Sequence, residues 1–477
     1  MKINSSTKTK NLLRRDFTSG RLFLPLLYFA IPIMLSGMLQ TLYSIADNVI
    51  VGRFSSDPFA LAAVGSTGSL SALIINLIIG VSAGSSVVIA QMHGARQESL
   101  VNRAVHTSLL FALIGGVIMM TLGLAICRPA LSLIGTKPEL LDSATLYMSI
   151  IFIGVPGSAL YNFGSTALRA TGDSKTPLVI LGTSGLINVL LNLFFVIVCN
   201  MTVDGVALAT IISQYLSAIA VIIVLHRRTD SIAFRFSKLR IDVSILRRIL
   251  RLGLPAGVQS SLFALSNVLI QSSVNTFSTP EIAGNTASAN IEAFTYVAIS
   301  SFHHAAVTVT GQNYGAARPD RIKKTFFYCI LQCTMVHLIL CAVQFPFFEQ
   351  ISYLFVNPDT ESAELVVLAT VRRLNILLIP YILCGIMDVI SGTLRGIGMS
   401  VFPMCASLFG ACAFRIFWSR VIFFLEPFNS PEGLYISYPI SWILVCLIDL
   451  PCLIIGIKKM SANKRRSEDV KQELQSK

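Results

Sequence analysis

Three carboxylates stand inside long apolar runs of this chain: Asp47 in "TLYSIADNVIVGRF", Glu292 in "ASANIEAFTYVAIS" and Asp388 in "GIMDVISGTLRG". A carboxylate in a low-dielectric surrounding resists its charged form, so it can take up and release a proton near neutral pH. Its oxygens can instead help coordinate sodium, because hard cations favour oxygen ligands, or pair directly with an organic cation. These roles compete for one charge, and that competition is the physical basis of exchange. Gln40, Tyr43, Ser44 and Asp47 recur at helical spacing as one polar stripe on an apolar helix. Asn188 and Asn192, four apart on one helical face, together with Thr210, offer oxygens that could share a sodium ion with Asp47. Asn285, Ser288, Glu292, Tyr296 and His303 make a second stripe. Asp47 has no cation within its own span and is the leading functional carboxylate, with Asp388 and Glu292 as further candidates.

Other polar groups have plainer readings. Ser260, Asn267, Gln271 and Asn275 follow one side of a helix and are read as helix–helix contacts. His303, His304 and His337 are read as packed or headgroup-level histidines. Arg169 and Arg395 are placed at a membrane edge, where their long side chains can reach the interface, and Asp449 is given the same reading. Arg415 lies deeper and is expected to pair with Asp388 or Glu292. The cysteines, with no CxxC pair among them, read as small hydrophobes; Cys329 and Cys333 share a helix face without the further ligands a metal needs.

The elements that position these groups follow from composition. Of 477 residues, 54% are hydrophobic and 13% charged, about half the charge of a soluble domain. That excludes a disordered chain and a disulfide-stapled secreted domain. Twelve apolar segments are long enough to span a bilayer: 22–50, 60–88, 104–127, 144–167, 176–199, 205–225, 246–275, 284–309, 325–348, 370–392, 401–425 and 434–457. The net charge of +13 would suggest nucleic acid in a soluble protein, but its placement says otherwise. Of 37 Lys and Arg, all but Arg53, Arg128, Lys137, Arg372, Arg373, Arg415 and Arg420 fall on one side, with both termini. By the positive-inside rule that side is the cytoplasm, so a multi-pass protein of the plasma (inner) membrane with both ends cytoplasmic is expected.

The basic connection 226–245 divides the chain into two sets of six spans, and a repeat appears across it. Pro32 in "AIPIMLSGMLQ" matches Pro255 in "GLPAGVQSSLF" at an offset of 223. "AQMHGA" matches "GQNYGA" at 221, "LRATGDSKTP" matches "LRGIGMSVFP" at 226, and "GVALATIIS" matches "GLYISYPIS" at 228. Six spans per half is an even number, so the repeats are parallel, a plan of secondary transporters. The expected organisation is a cytoplasmic tail 1–21, an N-lobe 22–225, the linker 226–245, a C-lobe 246–457 and a solvated tail 458–477. Neither a GxxxxGK[ST] loop nor HExxH occurs, and no GxSxG elbow falls on a strand–turn–helix pattern, so ATP-driven pumping and enzyme chemistry are not indicated.

The run "LQTLYSIADNVIVGRF", the paired "LRATGDSKTP" and "LRGIGMSVFP", and the "AQMHGA"/"GQNYGA" pair closely resemble the multidrug and toxic compound extrusion (MATE) family over about residues 20–460. The resemblance implies an all-α integral membrane protein of 12 transmembrane helices in two parallel-related six-helix bundles around a V-shaped central cleft. It implies efflux of cationic or amphipathic organic compounds in exchange for Na⁺ or H⁺ by alternating access, a basis of antibiotic resistance. Asp47 matches the family's first-helix aspartate, Asn188 a fifth-helix asparagine and Thr210 a sixth-helix threonine, with possible Na⁺ at Asp47 and Asn188. Pro32 and Pro255 are the expected hinges. Gln40, Tyr43, Tyr296, Gln259 and Asn267 are expected to line the substrate cleft. Asn192 stands where some members have a second aspartate, and span 7 lacks the acid other members carry, so the ion stays open. No cofactor, nucleic acid or ATP is expected, and the chain is expected to be a monomer in the bilayer. The alternative is a flippase for an anionic lipid-linked precursor of the same superfamily, which would want a cationic cavity. A channel or a membrane-embedded enzyme fits the repeat less well.

Overall fold

The computed structural model describes residues 16–54, 60–356 and 362–475, in which every regular element is a helix. Residues 1–15 of the expected N-terminal tail, and the side chains of Arg53 and of residues 466–475, lie outside the described residues. The first half runs α1 (Phe23–Phe54), α2 (Ala60–Ser66), α3 (Gly68–Gly94), α4 (Glu98–Leu133), α5 (Pro138–Ala170), α6 (Lys175–Leu193) and α7 (Val203–Arg227). The second runs α8 (Val243–Val274), α9 (Thr279–Gly315), α10 (Pro319–Gln344), α11 (Phe348–Tyr353), α12 (Ala363–Leu377) and α13 (Tyr381–Gly396). It ends with α14 (Val401–Ser407), α15 (Phe414–Arg420), α16 (Pro431–Tyr435) and α17 (Ser437–Gln475).

Among the described residues, ten stretches are long and apolar enough to cross a membrane, and the pair α12–α13, bent by 49°, makes an eleventh. The twelfth is α9, whose 37 residues are too polar to pass on hydropathy. Its polar residues turn inward: Asn285, Ser288, Glu292 and Thr295 are all buried. The expected single span 370–392 is thus two helices. Pro380 lacks an N–H and disfavours helical geometry at Ile379, which explains the break. Within the expected solvated tail 458–477, α17 continues unbroken to Gln475. Its run of Lys, Arg, Glu, Gln and Ala favours helix.

The chain forms two compact units. One is Leu35–Gly257; the other joins Phe17–Met34 to Val258–Lys477. These edges differ from the expected lobes 22–225 and 246–457. The first turns of α1 belong with the second unit and the first turns of α8 with the first. Each boundary falls two residues after a proline inside the helix, Pro32 in α1 and Pro255 in α8. A helical proline removes one backbone hydrogen bond and gives a place to bend.

In the first unit, two small-residue faces let α3 and α8 approach closely. Gly80 and Gly84 meet Gly253 and Gly257, and a Cβ on Gly253 would lie 2.6 Å from the Val81 carbonyl oxygen. This is the GxxxG mode of close helix packing in membranes. Arg248 of α8 donates to Gln91 of α3. The segment between α7 and α8 is strapped onto α4. Asn102 donates to the Ala233 carbonyl at 2.8 Å, His106 stacks on Phe234, and Arg103 pairs with Asp242. Asp242 also caps α8, accepting from the backbone N–H groups of Ser244 at 3.1 Å and Ile245 at 3.2 Å. Hydrogen bonds from the Ser244 hydroxyl and the Ile245 N–H, with the Arg103 charge, hold the Asp242 carboxyl below its ordinary value.

In the second unit, Leu22, Leu26, Phe29 and Ile33 enter a core with Phe302, Ala305, Val309, Val389 and Trp442. Arg321 donates to the carbonyls of Phe17 at 2.8 Å, Gly20 at 2.9 Å and Ser19 at 3.0 Å. Phe17 donates its backbone N–H to Gln312 at 3.3 Å. Gln91 and Gln312 are the matched glutamines of the repeat, and each accepts from the segment that leaves its own half of the sequence.

Candidate functional site

The first-unit site is built by α1 and α6. Gly185 has no side chain, and the Tyr43 ring occupies the space a Cβ would take. Tyr43 donates its hydroxyl to the Gly182 carbonyl at 3.0 Å. One turn on from Tyr43 comes Asp47; three and seven residues on from Gly185 come Asn188 and Asn192, on the same face. Asn192 Nδ2 donates to Asp47 Oδ1 at 2.5 Å and to Asn188 Oδ1 at 3.4 Å. Asn192 is fully buried, and its Oδ1 has no hydrogen-bond partner. The sequence brings these three residues together as expected. Thr210 instead donates to the Val206 carbonyl of its own helix at 2.8 Å, and no hydrogen bond links it to Asp47. Tyr147 of α5 interacts electrostatically with Asp47 and was missed, since no spacing rule ties α5 to α1.

The second unit overturns the expected ion pairs. Glu292 is held by Arg373, at 3.2 Å from Oε1 and 3.3 Å from Oε2, and accepts from the Ser288 hydroxyl at 2.9 Å. Arg373 also donates to the Asn285 carbonyl at 3.1 Å. Arg373 falls within the expected span 370–392, where no spacing ties it to Glu292; the break after Leu377 leaves it on a buried face of α12. Arg415 pairs with neither acid among the described residues. Its Nε donates to Ser441 at 2.9 Å, and its guanidinium lies 4.3 Å from the Tyr438 ring centroid.

Arg395 does not reach for an interface either. It is buried, donating to Gln259 at 2.5 Å and to His303 Nε2 at 3.3 Å. Gln259, expected in the cleft, is buried and joins this brace, its amide also donating to Ser407 at 2.6 Å. Of the other expected cleft residues, Gln40 and Asn267 are exposed, Tyr296 is 43% exposed and Tyr43 is half-buried. His303 and His337 are packed, His337 against Cys341 Sγ at 3.4 Å. Asp388 interacts electrostatically with Arg395 and Tyr296.

The two repeats also emerge from comparison with known proteins. The MatE family model matches residues 32–194 and 255–419, starting at Pro32 and Pro255. The chain is 29% identical over 429 residues to the probable multidrug resistance protein YoeA of Bacillus subtilis, covering 88% of this chain and 91% of that one. It is 25% identical over 333 residues to an FAD transporter of Shewanella oneidensis, covering 68% and 72%. Among solved structures, a MOP superfamily transporter from Pyrococcus furiosus, described as having a binding pocket of reverse polarity, superposes with a TM-score of 0.86. The two share 25% identity, over 97% of this chain and all of that one. With the family model covering more than half its length, the chain belongs to the MatE family and is a multi-pass membrane transporter, not an enzyme.

Proposed function

We propose that this transporter exports cationic or amphipathic organic compounds in exchange for Na⁺ or H⁺, with Asp47 as the coupling carboxylate. The Asn192–Asp47 hydrogen bond, beside the unpartnered Asn192 Oδ1, carries this reading. An amide N–H aimed at a carboxylate stabilises the ionised form. A proton arriving on Asp47 would remove the charge that the amide and a cationic cargo both favour. A sodium ion would draw on the Asp47 carboxylate, Asn188 Oδ1 and Asn192 Oδ1, the last once the amide turns over. In either case ion and cargo compete for Asp47, and alternating exposure to the two sides converts that competition into exchange. A potential of 100 mV adds about 2.3 kcal/mol for each elementary charge moved. The multidrug relatives support the cargo class, and the charge bias supports cytoplasmic termini. The test is export of a fluorescent organic cation from proteoliposomes under an imposed H⁺ or Na⁺ gradient. Export under one gradient names the ion; none under either overturns the reading.

A second reading, cargo that bears an anionic group, is favoured by Arg415, a buried cation with no carboxylate in ion-pair range among the described residues. An intramembrane cation of this kind is a default substrate contact, and one relative is described as an FAD transporter. Competition by an organic anion that disappears in Arg415→Met would support it.

A further inference from the structure

Among the described residues, the buried carboxylates other than Asp449 have their partners. Asp173 is bonded to Thr176 and Arg228, Asp242 to Arg103 and Ser244, and Glu292 to Arg373 and Ser288. Asp449 is 1% exposed, and neither of its oxygens has a hydrogen bond. It lies in α17, nine residues and about 14 Å before Lys458 begins the basic end of that helix, too deep for an aspartate to reach an interface. The expected interfacial reading therefore fails.

Asp449 interacts electrostatically with Arg395 of α13, and Arg395 interacts with both Asp449 and Asp388. The other neighbours of Arg395 cannot supply charge. A guanidinium only donates, so His303 Nε2 accepts from it, and His303 Nδ1–H donates to the Asp388 carbonyl at 2.8 Å. His303 is thereby held neutral, and Gln259 is neutral. The remaining titratable groups facing this place are Tyr296 and His304 of α9, Cys333 of α10, Cys384 of α13 and Cys446 of α17. One cation thus serves two carboxylates. Leaving an uncompensated ion in a dry interior costs several kcal/mol, so the second acid must be discharged.

The repeat shows that the acids are not needed to hold the arginine. Arg395 matches Arg169 in the first unit, but at the same offsets Asp388 matches Asn162 and Asp449 matches Val221. The scaffold keeps its arginine there without either carboxylate.

We propose that Asp449 is a proton-binding site of the second unit. It carries a proton on its carboxyl while Arg395 compensates Asp388, and releases that proton to water when Arg395 turns to it. Asp388, Arg395 and Asp449 together then hold one dissociable proton. This stands independently of Asp47 and of the cargo.

Infrared difference spectra of the purified protein in H₂O and D₂O test it through the carbonyl band of a protonated carboxylic acid. Asp449→Asn is expected to lose one such acid, and Asp449→Glu to keep it at a displaced frequency. Asp388→Asn is expected to lose the same acid, because Arg395 is then free for Asp449. Arg395→Met is expected to gain one acid. An unchanged band in Asp449→Asn, or in both Asp388→Asn and Arg395→Met, overturns the proposal. Should Asp449→Asn fail to fold, the Arg395→Met and Asp388→Asn spectra decide it alone.

Discussion

Asn192 gives its amide N–H to Asp47 at 2.5 Å while its buried Oδ1 has no partner. One rotation of this amide changes what Asp47 meets, from a donor that favours the free carboxylate to an oxygen that favours a bound cation. On the proposed mechanism the amide takes both positions, and its removal is expected to distinguish the two ions.

Asn192→Leu is expected to shift ion dependence in opposite senses for the two cases. A hydrogen bond to a charged group is worth about 1.5–3 kcal/mol, so the change is about 10- to 100-fold. For sodium, a ligand is lost and the concentration for half-maximal export rises. For protons, the bond to the charged form is lost and the proton gradient required falls. Half-maximal export against ion concentration reads the sign.

Glu292 and Arg373 behave as one structural unit. Glu292→Gln or Arg373→Met alone leaves a buried ion uncompensated and is expected to cost about 3–5 kcal/mol. The double variant Glu292→Gln/Arg373→Met is expected to recover most of that loss. Thermal melting in detergent measures the cycle; additive losses would show that the two do not act together.

The strap between α7 and α8 is expected to loosen in acid through Asp242. Its carboxyl is held below the ordinary value by the Ser244 hydroxyl, the Ile245 N–H and Arg103. A depressed group contributes stability that is complete above the unfolded value of about 4 and disappears as pH falls through the folded value. Asp242→Asn should therefore melt below wild type at neutral pH, with the gap closing in acid below about pH 4. A gap that stays constant with pH would count against the cap and ion pair as its source.

Gly185 is required by the Tyr43 ring. Gly185→Leu is expected to push α1 off α6, at a cost of about 1–3 kcal/mol for overpacking. Tyr43→Ala should restore much of the loss, since it vacates the space. Melting temperatures of the single and double variants measure this, and equal losses with and without Tyr43 would contradict it.

Much of this was legible in the sequence, for reasons that differ by feature. The spans, the repeat, and the shared face of Asn188 and Asn192 follow from apolar length and helical spacing, which are local; that this face meets Asp47, 145 residues away, is suggested only by the family resemblance. What failed needed three dimensions. Arg373 lies within the expected span 370–392, but nothing local joins it to Glu292, 81 residues away, and Pro380 was not read as a break. Gln259 looked like a cleft residue because nothing local joins it to Arg395, 136 residues away. The boundaries at Met34 and Gly257 fall inside continuous helices, where composition does not change. The Gly80/Gly84 and Gly253/Gly257 pairs were readable as small-residue faces, but only the fold shows that they meet.

The most direct test of Asp47 compares wild type with Asp47→Asn in proteoliposomes loaded with a fluorescent organic cation. The ion gradient that drives wild-type export is imposed on both, after both are shown to melt alike. Export is expected to collapse in Asp47→Asn, since an amide neither ionises nor exchanges a proton. Gradient-driven export at the wild-type rate in Asp47→Asn would contradict the assignment of coupling to this carboxylate.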